Sequence, residues 1–212
     1  MTEFKHLSKE AADIDVKLTD AQINSFFQYA ELLLEWNQKM SLTGIIEPVA
    51  IRQKHFLDSI SCWPLMKTST TSRVIDVGTG AGFPGLVLKI LQPDMHLTLV
   101  ESVTKKTNFL AHIVQELDLQ NVIILDERAE AVGQLPEHRE QYDWAVARAV
   151  AKMPVLAEYL LPLVKVGGGM LAQKGESAAE ETESAQNAIA QCGGTTQAVE
   201  KMDIPGSDYA RY

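Results

Sequence analysis

Apolar residues in the first third of the chain recur at helical spacing. From Thr19 to Met40 they fall three or four positions apart, and Thr19 with Gln22 matches a capping box at a helix start. A Ser-Leu-Thr-Gly segment interrupts this pattern, and Pro48 opens a second helical stretch that runs to about residue 66. A polar linker follows over residues 67–72. We therefore expect residues 1–72 to form a helical N-terminal extension.

From Arg73 the pattern changes to short apolar runs that alternate with helical stretches. The runs predicted as strands are residues 74–77, 97–100, 122–125, 143–147 and 168–173. The helices predicted between and after them are residues 83–91, 104–117, 152–164 and 177–191. This alternation is typical of an α/β fold with a parallel sheet, which binds ligands at the carboxyl ends of its strands. We predict that residues 73–212 form this domain as a single compact unit.

The last part of the sequence departs from this pattern. Residues 195–202 are predicted as a sixth strand, and sheets of this kind normally continue into a seventh strand that pairs antiparallel with the sixth. Residues 204–212 leave that seventh strand missing or barely begun. An open edge exposes unpaired backbone groups, so we expect reduced stability or pairing with another chain at this edge.

Composition and charge narrow the function classes. The 212 residues are 46% hydrophobic, which suffices for a packed core, and the formal net charge is −9. A general nucleic-acid binder is usually basic, so this charge argues against one, whereas an RNA-modifying enzyme with a local basic patch remains compatible. The sequence offers no signal peptide, no apolar run long enough to span a bilayer and only two isolated cysteines. We expect a cytoplasmic protein without membrane association or a metal site.

The most informative segment is the glycine-rich run from Asp76 to Gly85, Asp-Val-Gly-Thr-Gly-Ala-Gly-Phe-Pro-Gly, which follows the first predicted strand. Its glycines permit a tight turn and close approach of a ligand to the backbone. The run contains the dinucleotide pattern, and Glu101 ends the next strand, where a carboxylate can accept hydrogen bonds from ribose hydroxyls. Both features suit NAD and S-adenosylmethionine. Asp76 favours the latter because a carboxylate repels a pyrophosphate and attracts a sulfonium or ammonium; the alternative is that Asp76 only caps the turn.

This run resembles the cofactor loop of the small-subunit ribosomal RNA methyltransferase G family, the bacterial guanine-N7 methyltransferases also called glucose-inhibited division protein B. Further segments match the family's motifs in order: Trp36-Asn37 with residues 41–45, then 54–59, 128–130, 147–151 and 173–175. Together the motifs span residues 36–175. The resemblance implies a Rossmann-like class I S-adenosylmethionine-dependent methyltransferase fold. It also implies methyl transfer to N7 of a guanine in 16S ribosomal RNA.

The resemblance assigns cofactor contacts to seven residues. Expected at the methionine end and the ribose are Gly78, Gly80 and Phe83, with Glu101 at the ribose. Ala129 and Glu130 would frame the adenine, unless Glu130 is only a solvated carboxylate at a helix start. Arg148 ends the fourth predicted strand and is expected beside both cofactor and substrate, since a guanidinium can hold a phosphate or a base edge. An ion pair of Arg148 with Asp143 or Glu130 is the alternative.

Contacts with substrate RNA are expected from Arg148, Lys174 and His55. The alternatives are a plain surface lysine at 174 and a helix-packing histidine at 55. Phosphate contacts would position the RNA through a local basic patch, for which the candidates are Arg52, Lys54, Lys105, Lys106, Arg128, Arg148, Lys152 and Lys174.

The implied chemistry needs no catalytic base. Guanine N7 presents an unprotonated lone pair and loses no proton on attack, so alignment and exclusion of water can supply most of the catalysis. The acidic chain predicts weak affinity for free RNA, which favours a small-subunit ribosomal particle as the substrate. The sequence indicates no stable protein partner. Three alternatives stay open: an NAD-dependent oxidoreductase, a small-molecule methyltransferase and a non-catalytic ribosome assembly factor.

Overall fold

The N-terminal part of the chain is helical. The computed structural model describes residues 2–66 and 72–212. Helices α1 (Thr2–Ala12) and α2 (Asp20–Lys39) are followed by a short segment made of α3 (Pro48–Ile51), a π-helical turn (Arg52–Leu57), α4 (Asp58–Ile60) and a 3₁₀ turn (Trp63–Leu65). The capping box that starts α2 is confirmed: Gln22 N donates to Thr19 Oγ1 over 3.3 Å, and Thr19 N donates to Gln22 Oε1 over 2.9 Å. Most of the predicted linker, residues 67–71, lies outside the described residues.

The predicted parallel sheet is confirmed. Its strands are β1 (Arg73–Val77), β2 (His96–Val100), β3 (Val122–Leu125), β4 (Tyr142–Arg148) and β5 (Val164–Gln173). They lie in the order β3-β2-β1-β4-β5, and every neighbouring pair is parallel. The order reverses beside β1, so the carboxyl ends of β1, β2 and β4 meet at a switch point where ligands bind in open α/β sheets. In register, Arg148 at the end of β4 stands opposite Gln173 at the end of β5.

Helices flank the sheet between its strands. They are α5 (Gly85–Leu91), α6 (Thr104–Glu116), α7 (Ala129–Val132), α8 (Met153–Leu160) and, after β5, α9 (Ala178–Gln191). No helix in the described ranges is long and apolar enough to cross a membrane. Residues predicted to continue α8 instead form a 3₁₀ turn (Leu161–Leu163), and β5 begins at Val164, earlier than expected.

One apolar cluster joins the N-terminal helices to the sheet domain. Buried Phe26, Leu33 and Phe56 from the N-terminal helices belong to the same cluster as Leu86 of α5 and Phe109 of α6. Aromatic rings dominate this contact and contribute large buried areas. The N-terminal segment therefore packs as part of the core, and the predicted division at residue 72 stays a prediction.

The predicted sixth strand over residues 195–202 is wrong. Only Met202–Asp203 (β6) is extended and paired, and it pairs antiparallel with Ala210–Arg211 (β7) in a small separate ribbon. Tyr212 then exchanges two backbone hydrogen bonds with Lys174, of 2.8 and 3.1 Å, just beyond the end of β5. In residues 2–66 and 72–212 no strand of the sheet lies outside β5, where Val166 is 97% exposed. Pairing of this edge with another chain stays a prediction.

Candidate functional site

The glycine-rich loop after β1 is fixed by two buried carboxylates. Asp76 Oδ2 accepts hydrogen bonds from Thr79 Oγ1 over 2.6 Å and from Gly85 N over 2.7 Å. Glu101, just after β2, accepts from Gly80 N over 3.0 Å. Asp76 Oδ2 therefore caps the turn, as in the alternative interpretation of this residue. Burial is the largest influence on Asp76 and raises its pKa to about 6.

Gly80 leaves the loop open toward solvent. Its φ is +61°, a conformation that favours glycine, and a Cβ at this position would meet no atom within 4 Å. At Gly78, by contrast, a Cβ would lie 2.6 Å from Val150 Cγ2. The backbone at Gly80 is therefore accessible to a ligand, whereas the backbone at Gly78 is packed against the loop after β4.

Phe83 at the end of the loop carries a ring stack that reaches into the N-terminal helices. The Tyr29 ring stacks on it at 5.3 Å between centroids and 3° between planes, and the His55 ring does so at 4.6 Å and 12°. The Arg148 guanidinium lies 5.2 Å from the same ring centroid. The Tyr29 hydroxyl also donates to the backbone oxygen of Ala81. Residues predicted from the loop, from the second helical stretch and from β4 are thus brought together.

Arg148 is held by Asp58, a partner that the sequence analysis did not single out. Arg148 Nη1 lies 2.7 Å from Asp58 Oδ2 and also donates to the backbone oxygen of Lys54 over 3.0 Å. The other carboxylate oxygen, Asp58 Oδ1, accepts from Arg211 Nε over 2.6 Å. Asp58 is fully buried, and Gln173 Nε2 donates to its backbone oxygen over 2.6 Å. One carboxylate therefore anchors two arginines; the alternative partners predicted for Arg148 are not used.

His55 is a neutral packing and orienting residue in this arrangement. Its Nδ1 lies 3.3 Å from Arg148 Nη2, which can only donate, so Nδ1 accepts and Nε2–H donates to Thr43 Oγ1 over 2.9 Å. Burial, and next the Arg148 charge, lower the pKa of His55 to about 4. Thr43 is positioned by Asn37, whose Oδ1 accepts from Thr43 N over 3.0 Å.

Glu101 has both carboxylate oxygens engaged. Besides Gly80 N it accepts from Val103 N over 3.0 Å, and Lys106 Nζ lies 3.5 Å away. Ala129 and Glu130 begin α7 after β3, at the same edge of the sheet, and Ala129 packs against buried apolar residues. The Glu130 carboxylate is exposed and accepts from the Tyr159 hydroxyl over 2.7 Å. That hydrogen bond lowers the pKa of Glu130.

The expected basic patch is only partly available. Arg52 is buried against Glu10 at 2.9 Å, and Lys174 Nζ lies 2.6 Å from Glu181 and 2.8 Å from the backbone oxygen of Ala151. Of the eight candidates, those that are exposed and without an ion pair in the described part of the chain are Lys54, Lys105, Arg128 and Lys152. Within that part, no group of three His, Cys, Asp or Glu side chains is placed to hold a metal ion.

The arrangement offers two kinds of chemistry at one sheet edge. Buried acceptors with an exposed glycine backbone lie at the ends of β1 and β2, and an anchored arginine lies at the end of β4. Asp76 Oδ1 is buried and has no hydrogen-bond partner among the described residues, which fits a site for a ligand with cationic groups.

Comparison with known proteins identifies similar chains. A family model described as rRNA small subunit methyltransferase G matches residues 22–207. Among the similar proteins are several that bear the name Ribosomal RNA small subunit methyltransferase G. The one from Alkaliphilus oremlandii is 46% identical over 211 residues, which is 99% of this chain and 88% of the relative. The one from Roseiflexus castenholzii is 49% identical over 200 residues, or 94% and 85%.

Solved structures show the same fold at low sequence identity. An S-adenosylmethionine-dependent methyltransferase from Aquifex aeolicus has a TM-score of 0.57 and 15% identity, covering 84% of this chain and 95% of that one. Precorrin-6y C5,15-methyltransferase from Geobacter metallireducens has a TM-score of 0.53 and 11% identity, covering 81% and 88%.

Proposed function

This chain belongs to the rRNA small subunit methyltransferase G family, and from that premise we propose that it transfers a methyl group from S-adenosylmethionine to N7 of a guanine in 16S ribosomal RNA. The observation that carries the proposal is the hydrogen bond of 3.0 Å between Gly80 N and Glu101, which joins the loop after β1 to the carboxylate after β2. Family membership favours methyl transfer over the NAD-dependent alternative.

The cofactor is held along the edge formed by β1, β2 and β3. Glu101 accepts from the ribose hydroxyls with the lone pairs that its backbone partners leave free. Gly78, Gly80 and Phe83 border the methionine end, Ala129 and Glu130 border the adenine, and Arg148 closes the site from β4. The residues fit such a group, because Gly80 is open and Asp76 Oδ1 is a buried acceptor without a partner among the described residues.

Bound S-adenosylmethionine supplies an electrophilic methyl group on a sulfonium. The protein's own residues align the acceptor and exclude water, which is sufficient for a nucleophile that carries a lone pair and loses no proton. His55 is not assigned a role as a base, since both ring nitrogens are engaged by Arg148 and Thr43. No catalytic base is proposed. Arg148 lies beside Phe83 with its position fixed by Asp58, so it can hold a phosphate or a base edge without reorganising.

RNA contacts are proposed for Arg148, Lys174 and His55 at the carboxyl ends of β4 and β5 and on the neighbouring N-terminal segment. For Lys174 this requires the ammonium to exchange its contact with Glu181 for a phosphate. For His55 the contact is limited to the small exposed part of its ring. The net charge of −9 favours a cytoplasmic ribosomal particle over free RNA as substrate, because weak long-range attraction places more demand on shape.

The test is transfer of a radiolabelled methyl group from S-adenosylmethionine to small-subunit ribosomal RNA. The RNA is offered naked and within particles from cells that lack the enzyme, and the labelled nucleoside is identified after digestion. We expect label in 7-methylguanosine, with faster transfer to particles. Label in another nucleoside refutes the N7 assignment, and faster transfer to naked RNA refutes the particle as substrate. Absence of cofactor binding by calorimetry refutes the proposal as a whole.

A further inference from the structure

A cavity lies against Arg211, one of the two arginines that Asp58 anchors. Its volume is about 340 Å³, toward the lower end of the roughly 300–1,000 Å³ typical of ligand pockets. Its lining includes Lys54, Gly175, Glu176, Asp208, Tyr209 and Arg211. These residues come from the segment before His55, from the loop after β5 and from the β6–β7 ribbon.

The cavity is connected to the proposed methyl-transfer site through shared anchors. Arg211, on its wall, is bound to Asp58 over 2.6 Å, and the same carboxylate binds Arg148 over 2.7 Å. The backbone oxygen of Lys54 accepts from Arg148 over 3.0 Å. Arg148 in turn lies 5.2 Å from the centre of the Phe83 ring. The cavity therefore adjoins the edge at which the acceptor of the methyl group must lie.

An aromatic ring forms part of the cavity wall and is flanked by cations. The Tyr209 ring centroid is 5.9 Å from Lys54 Nζ and 5.2 Å from Arg211 Cζ. Burial raises the pKa of Tyr209 well above its ordinary value, so the phenol stays neutral. Splayed-out bases of RNA stack on aromatic side chains and on arginine planes, and this wall offers both surfaces.

The charges on the cavity wall select among ligands. Asp208 and Glu176 are exposed and form no ion pair within the described residues, whereas Arg211 is engaged by Asp58, which also binds Arg148. Two unpaired carboxylates repel a ligand that is only a phosphate. They suit a ligand that presents hydrogen-bond donors, because an ionised carboxylate can only accept. Among the nucleobases, guanine alone presents two adjacent donors, N1–H and N2–H₂, on its Watson–Crick edge.

We infer that this cavity receives the target guanine, with Tyr209 as its stacking surface and Asp208, assisted by Glu176, binding N1–H and N2–H₂. The inference rests on the proposed function, which it deepens by naming the residues that select the base. Hydrogen bonds on the Watson–Crick edge leave N7, on the opposite side of the purine, without a protein partner. Lys54, exposed at the rim, attracts the backbone phosphate.

The experiment compares three mononucleotides by calorimetry in the presence of S-adenosylhomocysteine. Guanosine monophosphate has both donors, inosine monophosphate lacks N2–H₂, and adenosine monophosphate lacks both. We expect guanosine monophosphate to bind roughly 10-fold or more tightly than adenosine monophosphate, with inosine monophosphate between them, as for hydrogen bonds to a charged group. Asp208→Asn should remove most of this preference, and Glu176→Gln should reduce it. Asp203→Asn, in the same ribbon with an exposed side chain, is the matched control and should leave it unchanged.

Methyl transfer to ribosomal particles provides the second readout. Asp208→Asn should lower kcat/KM about 10-fold or more while S-adenosylmethionine binds as in the unaltered protein. Tyr209→Leu should lower it by a comparable factor through loss of stacking, which is typically about 1–3 kcal/mol per base or roughly 5- to 150-fold. Equal binding of guanosine and adenosine monophosphates overturns the inference. So does a guanine preference that survives both carboxylate substitutions. If the protein transfers no methyl group to RNA but shows a guanine preference that Asp208→Asn removes, the proposed function fails and the guanine site stands.

Discussion

The proposed methyl-transfer site has two halves that are assembled in different ways. The cofactor half, made of Asp76, the loop of residues 78–82 and Glu101, is held by hydrogen bonds between residues 9 and 21 positions apart. The substrate half, made of His55, Asp58, Arg148 and Arg211, is held by contacts between residues 90 and 153 positions apart. The first half forms within a single βαβ unit, whereas the second requires the N-terminal helices, β4 and the β6–β7 ribbon together. A substitution that disrupts the substrate half should therefore lower the stability of the whole protein.

The largest effect on the substrate half is expected for the substitution Asp58→Asn. Removing the charge leaves Arg148 and Arg211 without their buried partner, and losing one member of a buried ion pair costs about 3–5 kcal/mol. We expect the free energy of unfolding, measured in urea, to fall by about 3 kcal/mol or more. Methyl transfer should fall further than cofactor affinity. Glu35→Gln, which removes an exposed pair with Lys39, is the control. A stability equal to that of this control would show that Asp58 does not organise the substrate half.

The two halves should respond to pH with opposite signs. The pKa of Asp76 is raised to about 6 in the folded protein, so the folded state holds an extra proton and stability falls as pH rises from about 4 to 6. The pKa of His55 is lowered to about 4, so the unfolded state holds the extra proton and stability rises between about pH 4 and 6.5. Each contribution is about 3 kcal/mol at full development, and in the unaltered protein the two oppose one another.

Single substitutions separate these two contributions. Relative to the unaltered protein, Asp76→Asn should gain stability as pH rises from 4 to 6, and His55→Gln should lose stability as pH rises from 4 to 6.5. Urea unfolding at several pH values measures both differences. Parallel pH profiles for the two variants would contradict the assignment of opposite signs.

A smaller effect, confined to the cofactor half, is expected for Glu101→Gln. The amide keeps the size of the side chain but loses the charge and one acceptor, so either Gly80 N or Val103 N loses its partner. We expect S-adenosylmethionine to bind about 10- to 100-fold more weakly, as for loss of a hydrogen bond to a charged group. Calorimetry measures the affinity, and the exposed Glu127→Gln is the control. Unchanged affinity would refute a cofactor role for Glu101.

The smallest effect is expected at Lys174, a predicted RNA contact whose ammonium group is already paired with Glu181. Glu181→Gln should change the free energy of unfolding by less than about 1 kcal/mol, because the pair with Lys174 is partly exposed. It should also strengthen the salt dependence of methyl transfer, because the freed ammonium becomes available for phosphate. If the salt dependence is instead unchanged, Lys174 stays a structural residue of the loop after β5.

The cofactor half could be predicted from the sequence far better than the substrate half. Hydrophobic runs and a glycine turn are local signals, so the parallel sheet, the loop and the position of Glu101 could be predicted from residues 73–101. The role of Asp58 was missed although it lies three positions after His55 on one helical face, because its partners come from distant strands. No sequence pattern indicated a role for Arg211, because it lies in residues 204–212, which match no motif and bear only on the missing seventh strand. The basic patch is smaller than expected, in part because Arg52 pairs with Glu10. This pair depends on how α1 packs, which the sequence pattern does not reveal.

The π-helical turn at Arg52–Leu57 governs how the chain tolerates insertions and deletions. At the end of this turn Asp58 N donates to Gln53 O, five residues earlier, so the turn carries one residue more than a regular α-helical turn. An α-helix advances by about 100° per residue, so a deletion in a regular helical turn rotates everything after it by about this angle. The π-helical turn instead takes up its extra residue locally, and a deletion within it would return the segment to regular α-helical geometry. A single-codon deletion in this turn should therefore disturb the orientation of the following residues less than the same deletion in the regular helix α2.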